Sequence, residues 1–120
     1  MRDHRSLKAW QEANRIANAA LDLSRDHWKP HLRDVLSQLT RAAISAQVNI
    51  SEGYGLGTPR QFLRHLRIAH GSSLEARDLI DLLASRGEIP RAIADATLLS
   101  CRRCQAMLIG LLKHYQRKVE

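Results

Sequence analysis

The chain has 120 residues, of which 44% are hydrophobic and 26% charged, which is typical of one soluble globular domain and excludes a two-domain enzyme. Aromatic residues make up only 4% of the chain, so a β-sandwich is disfavoured. The formal net charge of +7 favours acidic partners, with nucleic acid first and an anionic membrane surface second. A well-solvated basic surface without a defined site is the other interpretation of that charge.

The cysteines and the N-terminus indicate the compartment. Cys101 and Cys104 are too few for a disulfide framework, and the charged start of the chain contains no apolar run of signal-peptide length. No window approaches the roughly 20 uninterrupted apolar residues that a membrane span needs. We therefore expect a cytoplasmic protein without a membrane span. We also expect no membrane partner, because the apolar side of each predicted helix is only as wide as the core of a helix bundle requires.

Turn-forming residues divide the chain into four segments with helical periodicity. The joints are residues 27–30, 53–59 and 86–90. The first helix is predicted to begin with Ser6 as its N-cap, and the second to run from about Leu32 to Glu52.

The third and fourth helices have clearer boundary signals. Thr58 is the predicted N-cap of the third helix, with Pro59 at the first helical position and Gln61 where a capping box requires it. Gly87 is the predicted stop, and Pro90 opens the fourth helix.

Each segment carries apolar residues at a spacing that predicts one buried side per helix. The predicted core positions are Leu7, Trp10, Ala13, Ala17, Ala20 and Leu21, then Leu36, Leu39, Ala43, Ala46 and Ile50, then Phe62, Leu66, Ala69, Ser73, Ala76, Ile80 and Leu83, and finally Ile93, Thr97, Cys101, Cys104, Leu108, Leu111 and Tyr115. Short joints between long helices predict an all-α fold, an up-down-up-down antiparallel four-helix bundle that forms a single domain over residues 1–120.

The second helix has a second apolar side. Ile44 and Val48 lie away from its main stripe, so they either contact a further helix of the monomer or form a subunit interface. Between the two apolar sides runs a polar line that must be paired within the subunit or across an interface, because unpaired buried charge costs several kcal/mol. Its members are Asp34, Arg41, Ser45, Asn49 and Glu52.

One side of the third helix is basic at its start and acidic further on. Arg60, Arg64 and Arg67 precede Glu75 and Asp78, which allows head-to-tail contact between copies in a ring or a solvated side with local pairs. Arginines in a first helical turn gain from a bound anion, since the N-terminal end of a helix is positive. Arg60, Arg64 and Arg67 are therefore the candidate nucleic-acid-binding residues.

The sequence shows no catalytic or metal-binding pattern. Cys101 and Cys104 occupy the apolar seam of the last helix and have no second cysteine pair to complete a zinc site. The glycines of the second joint follow no strand and precede no Gly-Lys-Ser/Thr, and the six histidines lack ligand spacing. Glu75, Asp78 and Asp81 are expected to pair with Arg77 or a neighbour. We expect no enzyme, no cofactor and no metal.

Two blocks of sequence carry a family pattern. The matching residues are Arg41, Ser45, Asn49, Glu52 and Gly53 in residues 38–55, and Phe62, Ala69, Gly71, Ser72 and Glu75 in residues 62–75. The chain thereby resembles the four-helix bundle family of 23S rRNA intervening-sequence proteins. It departs from the pattern at Ala46, commonly isoleucine, and at Leu56, often arginine.

The resemblance implies a homopentameric ring and an RNA- or ribosome-linked role without a defined activity. Related accessory proteins of diversity-generating retroelements bind nucleic acid and a reverse transcriptase. We expect Arg41, Ser45, Asn49, Glu52 and Glu75 to form a polar network within the fold or the oligomer.

Two functions remain open at this point. The first is RNA binding, or association with a ribonucleoprotein, through backbone phosphate contacts made by the arginines of the third helix. The alternative is a protein-interaction scaffold, whose ring binds an enzyme partner without touching nucleic acid.

Overall fold

The computed structural model describes residues 3–120, which form four α-helices and two short 3-10 turns and contain no strand. The helices are α1 (Lys8–Asp26), α2 (Arg33–Leu56), α3 (Pro59–Ser85) and α4 (Arg91–Val119), and the turns span His4–Ser6 and Pro30–Leu32. The predicted all-α fold with four helices is confirmed.

Hydrogen bonds between α1 and α2 show that these helices are antiparallel. Asn14 Nδ2 donates to Gln47 Oε1 at 3.2 Å, and the hydroxyls of Ser24 and Thr40 lie 3.0 Å apart. Residue numbers therefore rise along α1 as they fall along α2. Each helix packs against the next in the chain, and α1 also packs against α4, which closes a four-helix bundle of 46 × 21 × 19 Å.

The core agrees with the predicted stripes except at two positions. Leu21 is 50% exposed and Ile93 is 43% exposed, so their prediction as core residues was wrong. The buried side of α1 is centred on Ile16, Ala20 and Leu23, and Leu21 is turned about 100° from Ala20. Ile93 lies at the margin of the buried side, in the first turn of α4.

Two helix boundaries differ from the predictions. Ser6 belongs to the turn before α1, where its hydroxyl donates to Asp3 O at 2.7 Å, and Leu7 occupies the N-cap position. Helix α2 continues past Glu52 to Leu56 and ends at Gly57, whose φ of 83° is left-handed. Gly53 and Gly55 are therefore part of the helix, and Gly57 alone ends it.

The start of α3 follows the predicted capping pattern. Thr58 Oγ1 accepts from Gln61 N at 3.2 Å and donates to Gln61 Oε1 at 2.8 Å, while Pro59 occupies the first turn. The α3–α4 joint turns at Gly87, where φ is 74°. Both boundaries are confirmed.

The helices are unequal in length, so one end of the bundle consists of α2, α3 and α4. The thiol of Cys104 lies 3.7 Å from Ala9 O, which places the first turn of α1 beside the middle of α4. Tyr115 is eleven residues further along α4, a rise of about 16 Å. The last turns of α4 therefore extend past the start of α1.

Candidate nucleic-acid interface

The arginines at the start of α3 lie beside the last turns of α4. Because the two helices are antiparallel, Arg67 Nη2 donates to Gln116 Oε1 at 2.6 Å. Arg60, Arg64 and Arg67, all exposed, line an open depression of about 510 Å³ that also contacts Val119. The three candidate residues thus share one surface.

A second depression continues from the first along the same two helices. It has a volume of about 370 Å³ and shares Leu63, Arg67 and Gln116 with its neighbour. We call the two together the basic groove, with walls of Arg60, Arg64, Arg67, Lys113, Gln116 and Arg117 and a floor of Leu63, Leu112 and Val119.

The cations of the groove have no acidic partner. Within residues 3–120, none of Arg60, Arg64, Arg67, Lys113 and Arg117 forms an ion pair with a carboxylate. Several arginines elsewhere do: Arg15 Nη1 lies 2.6 Å from a glutamate oxygen, and Arg25 Nε lies 2.7 Å from an aspartate oxygen. The groove therefore concentrates positive charge that the subunit itself does not neutralise.

The cations that α4 contributes to this surface were not identified from the sequence. Residues 96–119 contain no Asp or Glu, and Lys113, Arg117 and Lys118 fall in the last turns of that stretch. Antiparallel packing places a helix C-terminus beside the start of the preceding helix, so the predicted topology combined with this acid-free stretch could have identified them.

The predicted polar network forms in part, and it joins α2 to α3. The hydroxyls of Ser45 and Ser72 lie 2.8 Å apart, and Asn49 Nδ2 donates to Ser45 O at 2.9 Å. His65 Nδ1 donates to Asn49 Oδ1 at 2.8 Å and lies 3.9 Å from a carboxylate oxygen of Glu52. Ser45, Asn49 and Glu52 are thus brought together. Their partners are Ser72, which belongs to the second block of the family pattern, and His65, which the sequence did not single out.

Arg41 and Glu75 stand outside this network. Both are exposed, and the contact of the Arg41 guanidinium among the described residues is a bond from Nη1 to Ser37 Oγ at 3.2 Å. Ile44 and Val48 are 39% and 40% exposed, so the second apolar side of α2 is not covered by another helix of the described chain.

Gly53 permits α2 and α3 to approach each other closely beside the network. A Cβ built at Gly53 would lie 2.6 Å from Cβ of His65 and 2.9 Å from Cδ1 of Phe62. Any larger residue would displace α3 at this point. This spacing explains why a buried glycine precedes the end of α2.

The two cysteines lie in the core, as predicted. Cys101 and Cys104 are both fully buried and free. Burial raises the pKa of Cys101 to about 11 and that of Cys104 to about 12, because an apolar environment disfavours the thiolate. A thiol that stays protonated at neutral pH is a weak nucleophile and a weak metal ligand.

The acidic residues of α3 do not pair with Arg77 as expected. The Arg77 guanidinium instead donates from Nη1 to Gln105 Oε1 at 2.9 Å, which joins α3 to α4. Among residues 3–120, Glu75, Asp78 and Asp81 form no ion pair. No three His, Cys, Asp or Glu residues in that part of the chain come together as a metal site.

The opposite end of the bundle is closed by a charged clamp. His31 Nε2 lies 2.6 Å from Oε2 of Glu88, which joins the α1–α2 joint to the α3–α4 joint. Lys29 and Arg86 lie 3.8 and 4.0 Å from the same carboxylate. The hydrogen bond from His31 lowers the pKa of Glu88 below its usual value.

The described helices include none that is long and apolar enough to cross a membrane.

The comparisons with known proteins agree with this architecture. No curated protein matches the chain. A crystal structure of a protein of unknown function, from the S23 ribosomal protein family of Bacteroides thetaiotaomicron, has the same fold, with a TM-score of 0.77 and 18% identity over 88% of this chain and 98% of that one. The family model for the 23S rRNA-intervening sequence protein matches residues 5–110, so the chain belongs to this family.

Proposed function

We propose that this protein is a homo-oligomeric, pentameric bundle that binds RNA or a ribonucleoprotein through the basic groove. The observation that carries the proposal is the set of groove cations without an acidic partner. Arg60, Arg64 and Arg67 of α3 face Lys113 and Arg117 of α4 across a continuous surface. A polyanion supplies the negative charge that these side chains lack within the subunit.

The chemistry of the groove favours the nucleic-acid backbone. Arginine binds phosphate oxygens through a planar fork of donors, and lysine binds them as a point charge. The start of α3 adds the positive end of the helix dipole. Contacts of this kind fix position on a strand and carry little sequence information.

Assembly into a ring strengthens binding without new contacts. The exposed apolar pair Ile44 and Val48, flanked by Arg41, supports a subunit interface on the outer side of α2. The pentamer itself is proposed from the family resemblance. Each subunit of a ring repeats the basic groove, so weak phosphate contacts add through avidity.

The experiment that tests RNA binding measures its affinity across a salt series. The variant replaces three groove arginines together, Arg60→Gln, Arg64→Gln and Arg67→Gln. A control of equal charge loss outside the groove is Arg25→Gln, Arg102→Gln and Arg103→Gln. We expect the groove variant to weaken binding and to lower the slope of log affinity against log salt by about 2, since each neutralised phosphate contributes about 0.7 for a single strand.

The proposal is wrong if RNA affinity is the same at low and physiological salt. It is also wrong if the groove variant binds as tightly as the charge-matched control.

A scaffold for a protein partner is the second candidate, and one observation favours it. Leu21 and Trp28, 50% and 52% exposed, line a groove of about 330 Å³ between α1 and α2, with Arg33 and Arg41 at its edge. Exposed large apolar side chains that share a groove are typical of protein interfaces. A protein-like 260/280 absorbance ratio after gentle low-salt lysis favours this candidate over RNA binding.

A further inference from the structure

A third cavity lies at the same end of the bundle, on the side of α3 and α4 that faces α2. It has a volume of about 270 Å³, and its lining includes Tyr54, Thr58, Phe62, Tyr115 and Lys118. We call it the aromatic pocket. Three of the aromatic rings in a chain with only 4% aromatic residues are gathered here.

The rings hold one another in fixed orientations. Phe62 packs edge-to-face against Tyr54, with centroids 5.9 Å apart at 78°, and against Tyr115, with centroids 4.8 Å apart at 69°. Phe62 is buried at the base of the arrangement, whereas Tyr54 and Tyr115 are half-buried. The cavity is therefore an open site lined by three aromatic rings that pack against one another.

The pocket and the basic groove are formed by the same two helix ends. Pro59 and Phe62 of α3 line the pocket, while Arg60 and Leu63, one residue further on, line the groove. In α4, Lys118 lines the pocket and Val119 the groove. A strand that crosses the ends of α3 and α4 passes directly from one site to the other.

The size and chemistry of the pocket suit one nucleobase. Its volume of about 270 Å³ lies just below the roughly 300–1,000 Å³ of ordinary small-molecule sites and leaves room for one flat ring system. Aromatic side chains bind bases by stacking. Lys118, which also lines the pocket, places a cation where it can contact the phosphate of the bound nucleotide. A base in a duplex is stacked and paired, so only an unpaired base is free to enter.

We propose that the aromatic pocket binds one unpaired base of a single-stranded nucleic acid whose neighbouring phosphates lie in the basic groove. This inference rests on the proposed function and specifies its ligand as single-stranded. The groove supplies salt-dependent affinity, and the pocket supplies the preference for an exposed base.

The test compares three probes with the same number of phosphates: a single strand, the same strand without bases, and a duplex. We expect the full strand to bind the unmodified protein about 5- to 150-fold more tightly than the strand without bases, which is the effect of one stacked base. The replacements Tyr54→Leu and Tyr115→Leu should remove that difference, whereas Tyr115→Phe, which keeps the ring, should preserve it. Circular dichroism checks that each variant remains helical.

The outcomes separate this inference from the proposed function. Equal affinity for the strands with and without bases, together with salt-dependent binding that the groove variant weakens, overturns the pocket and leaves the groove standing. Absence of salt-dependent binding to any probe overturns the proposed function itself. Tighter binding of the duplex than of the single strand also overturns the pocket.

Discussion

Gly53 of α2 and His65 of α3 face each other so closely that a methyl group on the glycine would lie 2.6 Å from Cβ of the histidine. Real Cβ atoms do not approach a neighbouring Cβ to this distance, so the two helices can lie this close together only because residue 53 has no side chain. The contact fixes the distance between α2 and α3 beside the Ser45–Asn49–His65 network.

We expect Gly53→Ala to lower the free energy of unfolding by about 1–3 kcal/mol, because the added methyl group overpacks the α2–α3 contact. The control is Gly110→Ala in α4, where a Cβ meets nothing within 4 Å. That control should raise stability by about 0.5–1 kcal/mol, as alanine is the better helix former. Urea denaturation of both variants measures the effect. Equal stabilisation by the two replacements would contradict the close contact.

The amide of Asn49 bonds to α2 and α3 at once, since it donates to Ser45 O and accepts from His65 Nδ1. We expect Asn49→Ala to cost about 1–3 kcal/mol, because the replacement leaves a half-buried histidine nitrogen without its partner. Asn18→Ala is the matched control, since the amide of Asn18 is exposed and bonds within its own helix. Thermal denaturation that shows equal changes for both variants would argue against a stabilising network.

The clamp between His31 and Glu88 makes stability depend on pH. The pKa of Glu88 is lower in the folded protein than its usual value of 4.5, so its contribution is complete above pH 4.5 and is lost as pH falls through the folded pKa. We expect Glu88→Gln to reduce the difference in unfolding free energy between pH 7 and pH 3. The control Glu75→Gln removes an exposed carboxylate that forms no ion pair among residues 3–120 and should leave that difference unchanged. Identical pH profiles for the Glu88→Gln variant and the unmodified protein would show that the clamp contributes nothing.

The buried thiols should resist modification while the protein is folded. Cys101 and Cys104 are fully buried, and burial raises the pKa values of both thiols, so thiolate is scarce at neutral pH. We expect a thiol reagent to label them slowly in buffer and quickly in denaturant. Ala106→Cys, at an exposed position of α4, is the reactive control. Fast labelling of both native cysteines in the folded protein would contradict their assignment to the core.

Replacement of either exposed apolar residue of α2 tests whether this side of the helix forms the subunit interface. We expect Ile44→Asp or Val48→Asp to reduce the mass measured by light scattering towards that of one 13.6 kDa chain, because a charge opposes burial at an interface. Ile109→Asp, at a residue of α4 that is 41% exposed, should leave the mass unchanged. If the two α2 variants keep the mass of the unmodified protein, the interface lies elsewhere.

Local patterns in the sequence account for most of the fold. The periodicity of α2 and α3 identified their core residues, and Thr58, Pro59 and Gly87 marked boundaries where the structure has them. These predictions succeeded because capping and amphipathicity depend on residues three or four apart in one helix. The prediction that Leu21 and Ile93 are buried was wrong because both lie at the edge of an apolar stripe. The position of the neighbouring helix, which one helix's periodicity does not determine, decides whether residues at that edge are buried.

The candidate surface could be predicted only in part from local sequence patterns. The sequence placed Arg60, Arg64 and Arg67 on one side of α3 and gave the chain its excess of positive charge. It did not place Lys113 and Arg117 across from them, or bring Tyr115 to Tyr54 and Phe62, since these residues of α4 are about 45 to 60 positions from their partners in the sequence. The unequal lengths and antiparallel packing of the helices decided both arrangements. Charge and periodicity are properties of a segment, whereas a groove or a pocket exists only where segments distant in sequence meet.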